Sequence, residues 1–475
     1  MKQNQLGFVQ KQFFREKVIL VVNLLAEKNK PSNLEEEERV EKTRKNNQIF
    51  LFTYMYIIMN KNNYDIVIIG SGMSGLYSAY QIKKQSPKTT FVILEKYNKQ
   101  WVGGRTSNDD FYGTQVVTGA GIGRGDTNPL LINLMKELHI PYKKDISVMD
   151  FAKTIKNPVP IMKVIELLRR EYKKHPIEYK SLGFKVFAEK ILGSELYRDF
   201  IVSAGYTDYE KADVYETLYN YGFDDNQGGW EILFLPWKKM VLRLVQKIGP
   251  EHLKFSQNVV KISKKDACTF ELLTEKETKF YAKKVIIATT ITSMQKLIPG
   301  ASLPGSPYQQ IHGQVFLRLY GKFNKESGEI MKKMVPNYTI VPGPLQKIIP
   351  VNEDKGVYMI SYSDNENAES LKKYLKNTPE NRAFLCRLIE KTLGLLSNSL
   401  YLIAIKDFYW PVGTHYYEPL KNFKTRDDFV YHVQHPMKNM LVVGEAVSQY
   451  QGWTEGALES VETALTKQWI QSKEC

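Results

Sequence analysis

The sequence Asp65-Ile-Val-Ile-Ile-Gly-Ser-Gly-Met-Ser-Gly75 decides how this chain begins its fold. An apolar run of strand length, residues 66–69, leads into a turn that holds three glycines within six residues. Residues 75–82 have the composition of a helix, and Phe91-Val-Ile-Leu-Glu95 is a second apolar strand that ends in a carboxylate. Strand, glycine turn, helix and strand in this order predict the first unit of an α/β fold with a parallel sheet.

The glycines of this turn, Gly70, Gly72 and Gly75, have the spacing of a pyrophosphate-binding turn. Without side chains, the main chain can approach the phosphates at the positive end of the following helix. Ser74 lies in the same turn and is assigned to the site with them. Glu95 follows Gly75 by twenty residues, where a carboxylate would accept hydrogen bonds from ribose hydroxyls. The sequence therefore predicts a dinucleotide-binding site, rather than a glycine turn in another kind of α/β unit.

A second part of the same site is predicted more than three hundred residues later. Leu441-Val-Val-Gly-Glu445 is again an apolar strand that ends in a carboxylate, and Gly452-Trp-Thr-Glu-Gly-Ala457 begins the last helix. Between the two parts, Trp101-Val-Gly-Gly-Arg105 provides a glycine pair and a fixed cation. In these segments the chain resembles the flavin-containing amine oxidases, the monoamine, polyamine and L-amino-acid oxidase group. The resemblance covers roughly residues 64–470 and implies FAD, rather than NAD, as the cofactor.

The resemblance implies roles for further cofactor-binding residues. These are Gly103, Gly104, Arg105, Val259, Gly444, Glu445, Thr454 and Glu455. Arg105 and the glycines before it would lie beside the diphosphate or the ribityl chain, and the Glu445 carboxylate would bond the ribityl chain. Backbone groups near Val259 would face the adenine. The N–H groups around Thr454 and Glu455, at a helix N-terminus, would stabilise the negative charge of the reduced isoalloxazine.

On the substrate side, Trp410-Pro-Val-Gly-Thr-His-Tyr-Tyr417 resembles the family segment that crosses the flavin face. Thr414 stands where some members attach the flavin to a cysteine, so we expect a non-covalent cofactor. We expect Trp453, His415 and Tyr416 to line an amine cage, although a core tryptophan and a packed histidine are the alternatives. Trp410 is assigned to the same catalytic site. Gln314 aligns with a family lysine that holds a water near flavin N5. A neutral amide cannot supply that charge, so slow reoxidation by oxygen is expected. A register slip would offer Arg318 instead, which faces the same way four residues further along the strand and is a poor substitute.

The implied architecture is an α/β fold with a Rossmann-like FAD-binding domain of the GR2 type and an inserted α+β substrate domain. Residues 64–125, 228–294 and 406–475 are assigned to the FAD-binding domain, and residues 126–227 and 295–405 to the substrate domain. Apolar periodicity predicts the secondary structure of the two insertions. It indicates helices near residues 130–138, 161–168, 184–191 and 381–390, and strands near 313–320 and 357–362.

Composition limits the remaining choices. The chain has 475 residues, of which 43% are hydrophobic, so it can bury the cores of two domains. Its net charge of +15 is spread along the whole chain, which favours a solvated surface over a specific nucleic-acid site. The 3 cysteines contain no CxxC pair and no disulfide framework, so we expect no metal site and a cytoplasmic location. The sequence gives no indication of the oligomeric state.

The first 63 residues are interpreted as an N-terminal extension that is disordered or not translated. Met59 is the preferred start of the protein, and a membrane-associating leader is the alternative. The apolar run at residues 49–58 is too short for a stable membrane span, which needs about twenty residues.

The function implied by the resemblance is the oxidation of an amine. A hydride would pass from a C–N bond to flavin N5, water would hydrolyse the imine, and molecular oxygen would reoxidise the flavin to give hydrogen peroxide. The expected partners are a small-molecule amine and oxygen. Two alternatives remain open: an FAD enzyme that acts on C–C bonds, like a desaturase or a protoporphyrinogen oxidase, and a catalytically weak FAD-binding protein.

Overall fold

The computed structural model describes residues 62–223 and 227–472. The expectations for residues 1–61 therefore lie outside the described residues.

The described strands are, in chain order, β1 (Asn63–Ile69), β2 (Phe91–Leu94), β3 (Asn108–Phe111), β4 (Thr114–Val117), β5 (Gly123–Arg124), β6 (Lys143–Ile146), β7 (Met149–Phe151), β8 (Glu231–Phe234), β9 (Leu253–Lys254), β10 (Val259–Lys264), β11 (Phe270–Thr274), β12 (Lys279–Ile287), β13 (Ile311–Phe323), β14 (Tyr338–Ile340), β15 (Lys347–Asn352), β16 (Val357–Asp364), β17 (Leu402–Tyr417) and β18 (Met440–Val442). The described α-helices are α1 (Met73–Gln85), α2 (Pro129–Glu137), α3 (Ile161–Lys174), α4 (Pro176–Tyr179), α5 (Phe184–Ala204), α6 (Val214–Tyr219), α7 (Trp237–Ile248), α8 (Ile291–Leu297), α9 (Lys325–Met334), α10 (Asn365–Leu371), α11 (Pro379–Leu393), α12 (Arg426–Gln434), α13 (Thr454–Ala464) and α14 (Lys467–Gln471).

The first sheet has seven strands in the order β10-β11-β12-β1-β2-β9, with β18 paired to β12. Strands β1, β2 and β9 run parallel, and β12 is parallel to β18. Alternate residues of β1 enter different cores: Ile66 and Ile68 pack with helices α1, α7 and α13, whereas Val67 and Ile69 pack with α8 and α12. Helices cover both faces, as the apolar strands of a parallel sheet require.

The second sheet has six strands in the order β17-β13-β16-β15-β14-β7. Its long strands β17, β13, β16 and β15 are antiparallel. Cross-strand neighbours share one face of a sheet. One face therefore presents Gln314 beside Thr414, and Arg318 beside Tyr362 and Phe408. Helices α3 to α6 form a separate aromatic-rich core.

The secondary structure predicted for both insertions is present. The three helices expected in the first insertion are α2, α3 and α5, and α5 is kinked at Gly193. In the second insertion, the expected strands lie within β13 and β16, and the expected helix lies within α11. The domain boundaries stay a prediction. Among the described residues, no helix combines the length and apolar character needed to cross a membrane.

Cys268 and Cys386 differ in oxidation state. Cys386 is a free, buried thiol, whereas Cys268 is disulfide-bonded. The sequence predicts no disulfide framework, and Cys268 nevertheless takes part in a disulfide. The cytoplasmic location stays a prediction.

Candidate functional site

The glycine turn after β1 contains two positions that exclude a side chain and one that leaves space open. A Cβ on Gly70 would lie 2.4 Å from the Ala288 carbonyl oxygen, and one on Gly75 would lie 2.0 Å from that of Gly70. A Cβ on Gly72 would meet no atom within 4 Å. Gly70 and Gly75 thus bring helix α1 close to the sheet. Gly72 leaves an open cradle at the helix N-terminus, as a bound phosphate requires.

Glu95 follows β2 and is held against the glycine turn. Its Oε2 atom accepts hydrogen bonds from the Ser71 N–H (2.8 Å) and the Ser71 hydroxyl (2.7 Å), and Oε1 accepts from the Tyr97 N–H (2.9 Å). Oε1 retains capacity to accept another hydrogen bond. Glu95 is 7% exposed, and these three hydrogen bonds fix the orientation of its carboxylate. The carboxylate lies where the sequence argument expects a ribose-binding acid.

The Gly103-Gly104-Arg105 segment packs directly on the glycine turn. The Gly103 N–H donates to the Ser71 carbonyl (2.9 Å), and a Cβ on Gly104 would lie 3.7 Å from the Gly72 Cα. Gly103 has a φ of 91°, a left-handed conformation that glycine tolerates. The spacer before this segment forms a 3₁₀ turn at Lys99–Trp101. This turn brings both glycines back to the cradle.

Arg105 and Glu445 join the two distant parts of the site. One guanidinium nitrogen of Arg105 donates to the Gly413 carbonyl (2.5 Å) and lies 3.3 Å from the Glu445 carboxylate. Glu445 also accepts from the backbone N–H groups of His415 (2.9 Å) and Gly452 (2.7 Å). Burial opposes the carboxylate charge, but His415, Arg105 and the Gly452 N–H outweigh it and hold the pKa of Glu445 at about 2.

His415 does not line a cage. Its side chain has no exposed surface, and Nδ1 lies 2.7 Å from Glu445 Oε2. Nε2 accepts the N–H of Ile291 at 3.2 Å. The expectation of a cage histidine is corrected: both ring nitrogens are used to orient Glu445 and the start of α8.

Helix α13 begins at Thr454, and its first N–H groups have no partner within the helix. The Glu455 side chain is buried and accepts the N–H groups of Leu130 (2.8 Å) and Leu131 (2.9 Å), so it caps helix α2. Burial raises the pKa of this carboxyl. Glu455 therefore links the N-termini of α2 and α13. The backbone N–H groups around Thr454 and Glu455 point away from the body of α13.

The two tryptophans lie in different surroundings. Trp453 is half-buried, and the Arg124 guanidinium lies 3.8 Å from the centroid of its rings. Trp410 donates its indole N–H to the Thr118 carbonyl (2.7 Å) and packs edge-on against Trp101, with centroids 6.2 Å apart. Their roles in binding an amine stay predictions.

Gln314 makes hydrogen bonds within the protein from both ends of its amide. Its amide nitrogen donates to the Asp208 carbonyl, and its oxygen accepts the Thr414 hydroxyl at 3.1 Å. Both ends of the side chain are occupied, and Gln314 is 6% exposed. That Gln314 takes the place of the family lysine, with slow reoxidation as its consequence, stays a prediction.

Arg318 is the cation that a register slip would offer in place of Gln314. It lies four residues beyond Gln314 on the same face of β13, and its Nε donates to the Gly119 carbonyl (2.7 Å). A Cβ on Gly121 would lie 2.7 Å from its Nη2. The alternation of side chains along β13 places Arg318 on the same face as Gln314. The sequence could not show that this face meets the Gly119–Gly121 segment.

The remaining predicted residues lie around this core of the site. The Gly444 N–H donates to the Ser460 hydroxyl (2.8 Å), and a Cβ on Gly444 would lie 3.3 Å from the Ser74 Oγ. Val259 begins β10, and Gln257 just before it donates its N–H to the Glu95 carbonyl (2.8 Å). Among the described residues, no cluster of three His, Cys, Asp or Glu side chains could hold a metal ion.

Comparison with known proteins agrees with this arrangement. Residues 68–138 match a family described as an NAD(P)-binding Rossmann-like domain. Putrescine oxidase, solved as the wild type bound to putrescine, is 14% identical with a TM-score of 0.65, and the match covers 85% of this chain and 98% of that one. Cyclohexylamine oxidase from Brevibacterium oxydans IH-35A is 14% identical with a TM-score of 0.66, and that match covers 86% of this chain and 98% of that one. The expected α/β fold class is confirmed, and the chain shares the fold of these two oxidases, with a Rossmann-like dinucleotide-binding domain near its start.

Proposed function

We propose that this protein is an FAD-dependent oxidoreductase that oxidises a C–N bond of a small-molecule amine. The observation that carries the proposal is the contact of Arg105 with Glu445 and Gly413. This contact brings the glycine turn, the Gly-Gly-Arg segment and the Gly-Glu segment before α13 together from distant parts of the chain. The two oxidases of the same fold act on amines by name, which supports the choice of substrate.

The residues present fit FAD. The cradle at Gly72 leaves room for a pyrophosphate. The Glu95 Oε1 accepts the Tyr97 N–H and retains the capacity to accept from a ribose hydroxyl as well. Arg105 offers further N–H donors beyond those already used, since a guanidinium carries five. The N-terminus of α13 provides N–H groups and a partial positive charge for the anionic form of a reduced ring system.

When bound, FAD would supply the hydride acceptor for oxidation of the amine to an imine, which water then hydrolyses. The chain would orient the cofactor through Glu95, Arg105 and Glu445, and would exclude water with the face of the second sheet that carries Trp410. A desolvated, aromatic surface disfavours the ammonium form, so the substrate would react as the neutral amine. We propose molecular oxygen as the final electron acceptor, with hydrogen peroxide as product.

The test is anaerobic reduction of the flavin in the purified protein. Stopped-flow bleaching by amines, polyamines or amino acids supports the proposal. Bleaching by none of them, while dithionite still reduces the flavin, indicates a binding protein or an enzyme that acts on C–C bonds.

The first prediction concerns the attachment of the cofactor. Thr414 cannot form a thioether, and Cys386 is buried in the core between the second sheet and α11. Acid precipitation is therefore expected to release all of the FAD into the supernatant, which absorbance measures. Flavin that remains with the precipitated polypeptide would contradict non-covalent binding.

The second prediction is that Glu95→Ala lowers FAD affinity. The change removes an acceptor of ribose hydroxyls and also frees Ser71, which is fixed by Glu95. Hydrogen bonds to a charged group contribute about 2 kcal/mol each, so the Kd should rise at least roughly 30-fold. Fluorescence titration of the apoprotein with FAD measures this change. Glu329→Ala, an exposed position on α9, serves as control and should leave the Kd unchanged.

A further inference from the structure

Helices α3 and α4 form an exposed corner of the helical insertion. Five apolar side chains of α3, among them Leu168 and Tyr172, are buried in the core, so the opposite face of α3 is exposed. Tyr179 of α4 packs on Phe187, with ring centroids 4.9 Å apart, and this contact fixes α4 against α5. Ile177, in the same short helix, is 81% exposed. This apolar side chain leaves water only when another body covers it.

A second exposed apolar side chain belongs to the same surface. Val186, in the first turn of α5, is 58% exposed. Lys190, one turn further along α5, pairs at 2.7 Å with Glu178, the chain neighbour of Ile177. Single exposed apolar residues are common on protein surfaces, so the charges around this pair decide what it means.

The surroundings of this pair are basic. Residues 163–190 contain eight Lys or Arg and four Glu, a net charge of +4 in 28 residues, whereas the whole chain carries +15 in 475. Three of these cations pair with carboxylates, namely Lys174, Lys185 and Lys190. Within the described chain, the other five have no carboxylate within 4.0 Å: Lys163, Arg169, Arg170, Lys173 and Lys180. Charge of one sign that is left uncompensated attracts a partner of the opposite sign.

Three of the unpaired cations lie around one hollow on α3. The hollow has a volume of about 340 Å³ and is lined by Glu166, Arg169, Arg170 and Lys173. Arg169 is held in place because its Nε donates to the Leu218 carbonyl at 2.7 Å. Guanidinium groups bind phosphate oxygens through paired hydrogen bonds, and a lysine adds a point charge. Three cations opposed by one carboxylate therefore suit a phosphate group.

We propose that this corner of the molecule docks on a lipid bilayer that contains anionic lipids. The docking surface, which we call the basic corner, consists of four cations and two apolar side chains: Arg169, Arg170, Lys173, Lys180, Ile177 and Val186. The cations contact the headgroup phosphates, and the apolar side chains enter the boundary between headgroups and acyl chains. A nucleic acid would use the same cations but would leave both apolar side chains in water, which favours the bilayer. None of the six residues is assigned to the cofactor or substrate site, so this inference is independent of the proposed function.

Flotation of the FAD-bound protein with vesicles tests the docking. Two vesicle compositions are compared at low salt: phosphatidylcholine alone, and an equimolar mixture of phosphatidylcholine and phosphatidylserine. The protein should bind the mixture at least roughly 100-fold more tightly, since each basic residue near an anionic surface contributes about a factor of five. High salt should remove this difference.

A charge variant of the basic corner has a matched control. Arg170→Gln/Lys173→Gln/Lys180→Gln should bind the mixed vesicles roughly 100-fold more weakly than the wild type. The control, Lys88→Gln/Lys276→Gln/Lys333→Gln, removes the same net charge from exposed lysines that lie outside the basic corner and should bind like the wild type. Flavin content that is equal in both variants shows that both are folded.

Ile177→Ser tests the apolar part of the basic corner. The side chain is too exposed to stabilise the fold, and its loss should weaken binding to the mixed vesicles roughly 10-fold. Unchanged binding would overturn the bilayer as the partner, because the surface would then act through charge alone. A labelled oligonucleotide that the wild type retains and the charge variant releases would identify that other partner as a nucleic acid.

Two further results would overturn the inference. One is equal binding of the wild type to both vesicle compositions, or binding to neither. The other is an equal loss in the charge variant and its control, because net charge alone would then account for the binding. Reduction of the flavin by amines is measured separately, and its failure would affect only the proposed function.

Discussion

Gly72→Val is expected to abolish FAD binding while leaving the fold intact. Gly72 has φ −69° and ψ −179°, an extended conformation that valine adopts readily. A Cβ at this position meets no atom within 4 Å, so the branched side chain fits the protein but fills the proposed phosphate cradle. Loss of the pyrophosphate contacts should raise the Kd for FAD at least about 1000-fold, which corresponds to about 4 kcal/mol. Flavin content after purification and titration of the apoprotein with FAD measure this loss.

Two other glycines provide controls for this variant. Gly75→Ala would place a Cβ 2.0 Å from the Gly70 carbonyl oxygen, so it should destabilise the protein itself. Gly183→Ala meets its nearest neighbour at 3.5 Å and should leave both stability and FAD affinity unchanged. Full flavin occupancy in Gly72→Val would show that the phosphates bind elsewhere.

Glu445→Gln is expected to be among the most destabilising substitutions in the protein. The Glu445 carboxylate is 6% exposed and bonds His415, Gly452 and Arg105. The substitution removes the ion pair with Arg105 and replaces one acceptor oxygen of the carboxylate with an NH₂ group, which is a donor. Breaking a buried ion pair costs about 3 to 5 kcal/mol. Urea unfolding of the flavin-free protein measures the change without a contribution from cofactor loss.

Glu390→Gln is the matched control for Glu445→Gln. Glu390 is also buried, and its carboxylate accepts the N–H groups of Asn398 (3.0 Å) and Leu400 (2.8 Å), which are neutral. Its replacement should therefore cost less than the replacement of Glu445. Equal effects of the two substitutions would mean that the pair with Arg105 adds nothing beyond hydrogen bonding.

The pKa of Glu445 also predicts how stability depends on pH. The folded-state pKa of about 2 lies below the ordinary value of 4.5, so the carboxylate stabilises the folded state above pH 4.5. This contribution, on the order of 3 kcal/mol, is lost as the pH falls from 4.5 towards 2, because the unfolded state then binds the proton more tightly. The free energy of unfolding of Glu445→Gln should lack this part of the acid dependence. Parallel acid dependence in both proteins would contradict the assignment.

Local chemistry accounts for what could be predicted from the sequence. The apolar strand before Gly70 and the acid after β2 depend on neighbours within one βαβ unit, whose geometry is nearly invariant. The helices and strands of both insertions follow from apolar periodicity in the same way. Gly70, Gly72 and Gly75 were therefore assigned to one turn, although only the structure shows that Gly72 alone faces open space.

The roles of His415, Gln314 and Arg318 could not be found in this way. His415 stands in an aromatic segment, but the strand that carries it turns the imidazole towards Glu445 and Ile291. Gln314 and Arg318 share a face of β13, and only the packing of that face decides which one reaches the site. Gln314 meets the Asp208 carbonyl, while Arg318 meets residues 119–121.

The sequence by itself determined the α/β fold class and the dinucleotide-binding turn, because these follow from residue type and short-range spacing. The family resemblance implied that two distant segments share one site. Only the tertiary structure decided which side chains are satisfied and which remain without a partner. Glu445 pairs with Arg105, whereas Arg318 donates to the Gly119 carbonyl. Such differences depend on contacts between residues far apart in the chain, and in a buried site the charge of a group is fixed by those contacts rather than by its identity.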